Sequence, residues 1–199
     1  MKISGKFILK VAGTLTAISL VVAALLGFVN SITKDKIAAI DAEKTRIAMS
    51  AVTEEGSEFG DKMELSEEAV AAASAQGGSK LMELYPVTKD GAAAGYVMKI
   101  SASGSQGSIV MMVGVDADKA ITGISVVSHS ETSGIGTKVV ENKPNSAGEP
   151  VLDQFIGKSG EPGSLVVGSN ITAISGATVS TRGIAAGANA ALAVVDTLG

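Results

Sequence analysis

Nineteen consecutive uncharged residues, Val11 to Val29 (VAGTLTAISLVVAALLGFV), constrain this chain more than any other feature. At about 1.5 Å per helical residue the run extends roughly 28 Å, close to the hydrocarbon thickness of a bilayer. Within lipid a lone segment must satisfy its own backbone, which only a helix does. Lys2, Lys6 and Lys10 precede the run, and Lys34, Asp35 and Lys36 follow it. The basic excess on the leading side predicts a cytoplasmic N-terminus, with the remainder across the membrane. A cleaved signal peptide is the main rival. Signal cores are about 7–15 residues long and end at a small-x-small site, which Gly27-Phe28-Val29-Asn30 does not provide. A pilin-like leader fits poorly, because Lys6 separates Gly5 from Phe7 and no glutamate follows early in the apolar run. The expectation is a retained single-pass anchor, with residues 1–29 forming a short cytoplasmic N-terminus and the transmembrane span.

Beyond the span lie 170 residues, enough for one domain with its own core. Ile37, Ile40 and Ile47 recur at spacings of three and seven, so Ile32 to Ser50 reads as a stalk or packing helix. With the polar stretch Glu54 to Gly60, residues 30–60 are expected to form a stalk helix and linker, and residues 61–199 the main domain. Leu65 to Gln76 reads as a short helix capped by Ser66 and ended by Gly77-Gly78. Four strands follow: Leu81–Val87, Ala94–Ser101, Ser108–Val115 and Ile121–Ser128. Lys89-Asp90-Gly91, the ASGSQG loop from Ala102 to Gly107, and Asp116-Ala117-Asp118 separate them. That spacing predicts an antiparallel meander. A loop around Asn145 to Gly148, a short helix over Val151–Ile156 and strands at Leu165–Val167 and Ile171–Ile174 come next. An Ala-rich helix from Ser180 to Leu198 closes the chain. The fold class is α+β.

Composition removes several chemistries. There is no Cys and one His, so disulfides, thiol nucleophiles, cysteine-held iron–sulfur clusters and multi-histidine zinc sites are excluded. Net charge is −4, which argues against nucleic acid as a partner.

Two segments carry chemistry. The first, His129-Ser130-Glu131-Thr132-Ser133-Gly134-Ile135-Gly136, gathers a carboxylate, hydroxyls and two glycines. A hydrolytic triad is a poor reading, since neighbours on an extended chain point to opposite faces and no G-x-S-x-G elbow accompanies them. A polar loop able to line the edge of a cofactor is the better one. The second, Ser175-Gly176-Ala177-Thr178-Val179-Ser180-Thr181, lies between an apolar segment and the final helix. Gly176 and Ala177 leave room beside the Thr178 hydroxyl, and a phosphate there would meet the positive end of the helix. Ser180 or Thr181 acting simply as an N-cap is the plainer alternative, compatible with the first.

These residues resemble a known family. ISGATVST (Ile174–Thr181) resembles the covalent flavin-attachment motif of the FMN-binding domain family. HSETSGIG (His129–Gly136) resembles the H-x-E-T-P-G-L-G loop that accompanies it, and LDQFIGKS (Leu152–Ser159) the short segment between them. The two motifs begin 46 residues apart, in the family's order, and the pair is far more specific than either alone. The anchor, the length and the order of segments are similar to the G subunits of Rnf-type electron-transport complexes. The resemblance implies that Thr178 bears FMN through a phosphoester, installed from FAD by a flavin transferase that recognises Ser175, Gly176 and Ala177. It places Glu131, Thr132, Gly134, Ile135 and Gly136 near the flavin. It implies an extracytoplasmic electron carrier without independent catalysis, working with the membrane and iron–sulfur subunits of an ion-translocating ferredoxin:NAD oxidoreductase. Ser133 stands where the family usually has Pro, Ile135 where Leu is common, and Thr172 where an Asp often precedes the motif. The alternatives are the C subunit of a sodium-translocating NADH:quinone reductase, which is usually longer, and an anchored binding module without flavin. With no Trp, four Phe and two Tyr, a flavin ring would rest on aliphatic side chains or face a partner subunit.

Overall fold

The computed structural model describes residues 5–198, which divide between Glu43 and Lys44 into two compact units. Helix α1, Gly5–Ala51, runs 47 residues without a break. It contains no proline and few β-branched clusters, so nothing in the sequence stops it. The anchor and the expected stalk helix are therefore one element. Its apolar stretch is long enough to cross a membrane, and none of that window is covered by protein. Phe7, Leu20 and Leu26 are each more than 60% exposed, on different sides of the helix. A helix that is apolar all round and uncovered is suited to lipid.

The second unit is built on a single sheet. Strands β1 (Glu58–Phe59), β2 (Lys80–Lys89), β3 (Ala92–Ser103), β4 (Ser108–Asp116) and β5 (Ile121–His129) pair in sequence order, each antiparallel to the last. The four expected strands are all present and extend one or two residues further at some ends. β1 is additional: two residues paired as Glu58↔Thr88 and Phe59↔Val87, too short to show alternation. The β2–β3 turn has Asp90 at φ +53° and Gly91 at φ +80°, the left-handed pair that a two-residue hairpin requires.

Alternation along the strands separates two cores. Met98, Ile100, Ala102, Ile109, Met111, Val113 and Val115 face α2 (Glu67–Ala75) and α4 (Thr178–Thr197). Val97 and Met112 face the other way, against Val87 and the last turns of α1. Ala48 and Met49, with Val52 just beyond the helix, make the contact, while Ile37, Ile40 and Ile47 are all more than half exposed. Within the second unit, Ile47 of the isoleucine series is thus not part of that contact. Ser66 caps α2 as expected, its hydroxyl accepting from the Ala69 amide at 3.1 Å. Gly183 lets α4 approach the sheet: a Cβ there would lie 2.5 Å from the Ser103 carbonyl oxygen.

Two expectations are corrected. Residues 165–167 and 171–174 are not strands, and share only an isolated Val167↔Ile171 bridge. Side-chain amides take their backbone groups instead. Asn189 Oδ1 accepts from Gly163 N (2.9 Å) and Leu165 N (3.1 Å), and Asn189 Nδ2 donates to the Leu165 carbonyl at 3.0 Å. Gln154 donates to the Thr172 carbonyl (2.8 Å) and accepts from the Thr172 amide (2.7 Å). Backbone groups satisfied in this way need no neighbouring strand. The helix expected over Val151–Ile156 is one 3-10 turn, Asp153–Phe155.

Candidate functional site

The two chemistry-bearing segments meet. A surface pocket of about 150 Å³ opens between the β3–β4 loop, the loop after β5 and the turn into α4. Ser105 lines it from the first, Glu131, Thr132, Ile135 and Gly136 from the second, and Gly176 to Ser180 from the third. The sheet holds β5 beside β4, and α4 lies across β3 and β4, so the end of β5 and the start of α4 arrive together.

Glu131 fastens the three segments. It is 7% exposed, and its Oε1 accepts from the amides of Ser105 (2.8 Å) and Gln106 (3.3 Å). Its Oε2 accepts from the Ser180 hydroxyl. Gly104 and Gly136 leave the space it occupies, since a Cβ on either would collide with the carboxylate. Glu131 is therefore a structural fastener at the pocket wall, with both oxygens already engaged by this chain. His129 Nδ1 accepts from the Glu131 amide at 3.2 Å, a local turn contact. His129, Ser130 and Glu131 form no relay.

The remaining residues of the loop divide by role. The Thr132 carbonyl accepts from Ile135 N (3.3 Å) and Thr137 N (3.2 Å), closing the turn. Gly134, at φ +76°, donates its amide to Thr137 Oγ1 at 2.9 Å; it shapes the loop and does not line the pocket. Ile135 and Val179 both line the pocket and are each about half exposed. No aromatic side chain lines the pocket.

Helix α4 begins at Thr178, two residues earlier than the sequence suggests, and Ala177 occupies the cap position with no side-chain cap. Ser180 and Thr181 are therefore inside the first turn. Ser180 is committed to Glu131, and the Thr181 hydroxyl donates to the Ala177 carbonyl at 3.0 Å. Among the described residues the half-buried Thr178 hydroxyl has no partner. At the first helical position it sits beside backbone amides that lack intrahelical acceptors. Ser175 is exposed, and nothing but Ile135, 3.9 Å away, approaches the space beside Gly176. Thr172 is also exposed, its backbone held by Gln154.

Sequence reasoning missed Ser105, Val179 and the fastening role of Ser180. Ser105 lies in a loop of small polar residues with no distinguishing pattern, and only the fold brings it to Glu131. The Ser180 hydroxyl was legible as a cap, but its acceptor is 49 residues away. The site offers a free hydroxyl and a helix N-terminus suited to an anionic ester. No group of three or more metal-binding side chains occurs among the described residues.

Comparison with known proteins agrees with this geometry. A family model described as the FMN-binding domain matches residues 104–193, a stretch containing all three pocket segments. A second, the RnfG N-terminal region, matches residues 1–52. The chain is 29% identical over 207 residues to the G subunit of the Na(+)-translocating ferredoxin:NAD(+) oxidoreductase complex of Acetobacterium woodii, covering 100% of this chain and 96% of that one. It is 31% identical over 186 residues to the G subunit of the ion-translocating oxidoreductase complex of Methanosarcina acetivorans, covering 90% and 89%. The G subunit of the proton-translocating ferredoxin:NAD(+) oxidoreductase complex of Clostridium ljungdahlii is 28% identical over 117 residues, 57% of this chain and 60% of that one. The chain thus belongs to the family of G subunits of ion-translocating oxidoreductase complexes.

Proposed function

We propose that this protein is a membrane-anchored flavoprotein electron carrier with FMN esterified to Thr178, working within an ion-translocating ferredoxin:NAD oxidoreductase of the Rnf type. The observation that carries the proposal is the state of three hydroxyls in one helical turn. Ser180 and Thr181 are hydrogen-bonded inside the fold, whereas Thr178 is unengaged and opens on the pocket. An ester can form at Thr178 without breaking a structural bond. The residues present fit the phosphate end of FMN: an acceptor oxygen, helix amides and a bare Gly176 alongside.

FMN, when bound, supplies one- and two-electron transfer that this chain's side chains cannot. The residues around it bind and orient. Thr178 fixes the phosphate end, Ile135 and Val179 offer an aliphatic rim, and Glu131 keeps the three pocket segments in register. Ser175 and Gly176 form an exposed turn, with Ala177 buried behind them, that a flavin transferase can approach, and Thr172 leads into it on the surface. Thr132, Gly134 and Gly136 belong to the opposite wall and the turn behind it.

The functional division we propose assigns residues 1–29 to the cytoplasmic N-terminus and single transmembrane anchor, 30–60 to the connecting stalk and 61–199 to the FMN-binding domain. Lysines 2, 6 and 10 support a cytoplasmic N-terminus and an extracytoplasmic main domain. Partners are the membrane and iron–sulfur subunits of the complex. The named relatives differ in coupling ion, so the proposal stops at ion translocation.

The test is covalent flavin itself. Co-expression with a flavin transferase is expected to add the mass of one FMN to the tryptic peptide containing Thr178, with fluorescence that survives denaturing electrophoresis. Thr178→Val is expected to abolish both and Thr178→Ser to retain them. Undiminished fluorescence on Thr178→Val would overturn the assignment.

A further inference from the structure

Resting on the reading that FMN is esterified to Thr178, we propose that Arg182 is the positioning residue for the phosphodiester so formed. Helix α4 carries no acidic residue in its first turn and has no side-chain cap. The Glu131 carboxylate reaches the first turn, at the positive end of the helix, through the Ser180 hydroxyl, with both oxygens already engaged by this chain. Arg182 adds a second positive charge there, where a cation is electrostatically disfavoured. The one acidic residue of the helix, Asp196, lies at the far end and accepts from Lys119 at 2.9 Å. Arg182 is exposed, with no ion pair or hydrogen bond among the described residues. An unpartnered guanidinium at the wrong end of a helix is accounted for if an anion is to arrive beside it.

Spacing identifies that anion's place. Thr178 and Arg182 are four residues apart on α4, so they are neighbours on one face. Helical side chains lean toward the N-terminus, so an Arg182 rotamer can reach back toward Thr178. In this structure the Arg182 side chain lines the groove between Gln76-Gly77 and residues 165–167, not the pocket beside Thr178. Because it is exposed and unbonded, a rotamer change suffices to bring it across. A guanidinium offers paired donors that match two phosphate oxygens, which an ammonium does not. The phosphodiester carries one negative charge on its two non-bridging oxygens, and Arg182 neutralises it while the amides at the start of α4 donate from the other side.

The experiment compares full-length wild type, Arg182→Gln and Arg182→Lys, each co-expressed with a flavin transferase. Mass spectrometry first establishes FMN on the Thr178 peptide. The melting temperature of each flavinylated chain is then compared with that of the same chain carrying Thr178→Val. The expected result is a gain in wild type that is about 2–4 °C smaller in Arg182→Gln, is partly restored in Arg182→Lys, and shrinks with salt only where the cation is present. Equal, salt-independent gains in all three would overturn the proposal. A second readout needs no variant. The chain has two arginines, Arg46 and Arg182, so the Nε–H signals of nitrogen-15-labelled protein are few. Flavinylation is expected to slow exchange of one of them with water and to shift it, and unchanged signals would overturn the proposal even if Arg182→Gln accepts no flavin. Absence of FMN from wild-type Thr178 would instead refute the underlying reading, a different outcome seen at the first step.

Discussion

Replacing Glu131 tests whether one carboxylate holds the three pocket segments together. Glu131→Ala removes three accepted hydrogen bonds at once. The three donors differ in what happens next. Ser105 and Gln106 are exposed, so their amides regain water and lose mainly the benefit of a charged acceptor. Ser180 is 1% exposed, and its hydroxyl is stranded, at roughly 1–3 kcal/mol. Together these amount to about 2–4 kcal/mol of destabilisation, large for a residue outside either core. Glu131→Gln keeps one oxygen for the two amides and lets the Ser180 hydroxyl reverse to accept from the new amide. It loses charge assistance only, about 1–2 kcal/mol. Urea unfolding of the full chain in detergent, followed by circular dichroism in the Thr178→Val background, measures the fold without a flavin contribution. Adding Ser180→Ala to Glu131→Ala removes the stranded hydroxyl and is expected to recover about 1 kcal/mol or more. A change below about 0.5 kcal/mol in Glu131→Ala, or equal losses for Ala and Gln, would refute the fastening argument.

Two further expectations come from other parts of the fold. Gly183→Ala drives a methyl into the Ser103 backbone carbonyl, so α4 must lift from the sheet. Gly187→Ala meets only the flexible end of Met111, so Gly183→Ala is expected to lower stability by about 1–3 kcal/mol while Gly187→Ala stays near neutral. Equal urea midpoints would contradict this. The Tyr85 phenol is pushed up to about 12, chiefly by burial and then by its 2.9 Å bond to Glu83 and that carboxylate's charge. A folded value above the unfolded one, near 10, means that the contribution is complete below pH 10 and is lost as pH rises toward 12. Absorbance at 295 nm is expected to show a late ionisation step that Tyr85→Phe removes, and a tyrosine step near 10 for every residue would contradict it.

Legibility in the sequence followed the range of the interaction. The anchor, the Ser66-capped helix, the four-strand meander and its turns rest on local pattern and turn chemistry, and the structure contains them all. The failures share a cause. Residues 165–167 and 171–174 have strand-like composition, yet Asn189 and Gln154 satisfy their backbone from elsewhere in the fold. Ile47 continues a helical spacing, yet its neighbours Ala48, Met49 and Val52 make the contact, because burial depends on where the sheet is. Ser180 has the makings of a cap, yet its partner is Glu131.

The sequence alone determined that a lipid-compatible helix leads into an α+β domain, and that no thiol, cysteine-held cluster or multi-histidine site serves it, since the chain has no Cys and one His. Hydropathy and residue chemistry are one-dimensional properties, readable without a fold. Tertiary structure alone decided which of three neighbouring hydroxyls is free. Ser180 and Thr181 are engaged and Thr178 is not, because α4 starts at Thr178 and lies across β3 and β4 with Glu131 reaching its first turn. The Thr181 bond is local to the helix, but that of Ser180 spans 49 residues, and no local pattern encodes it.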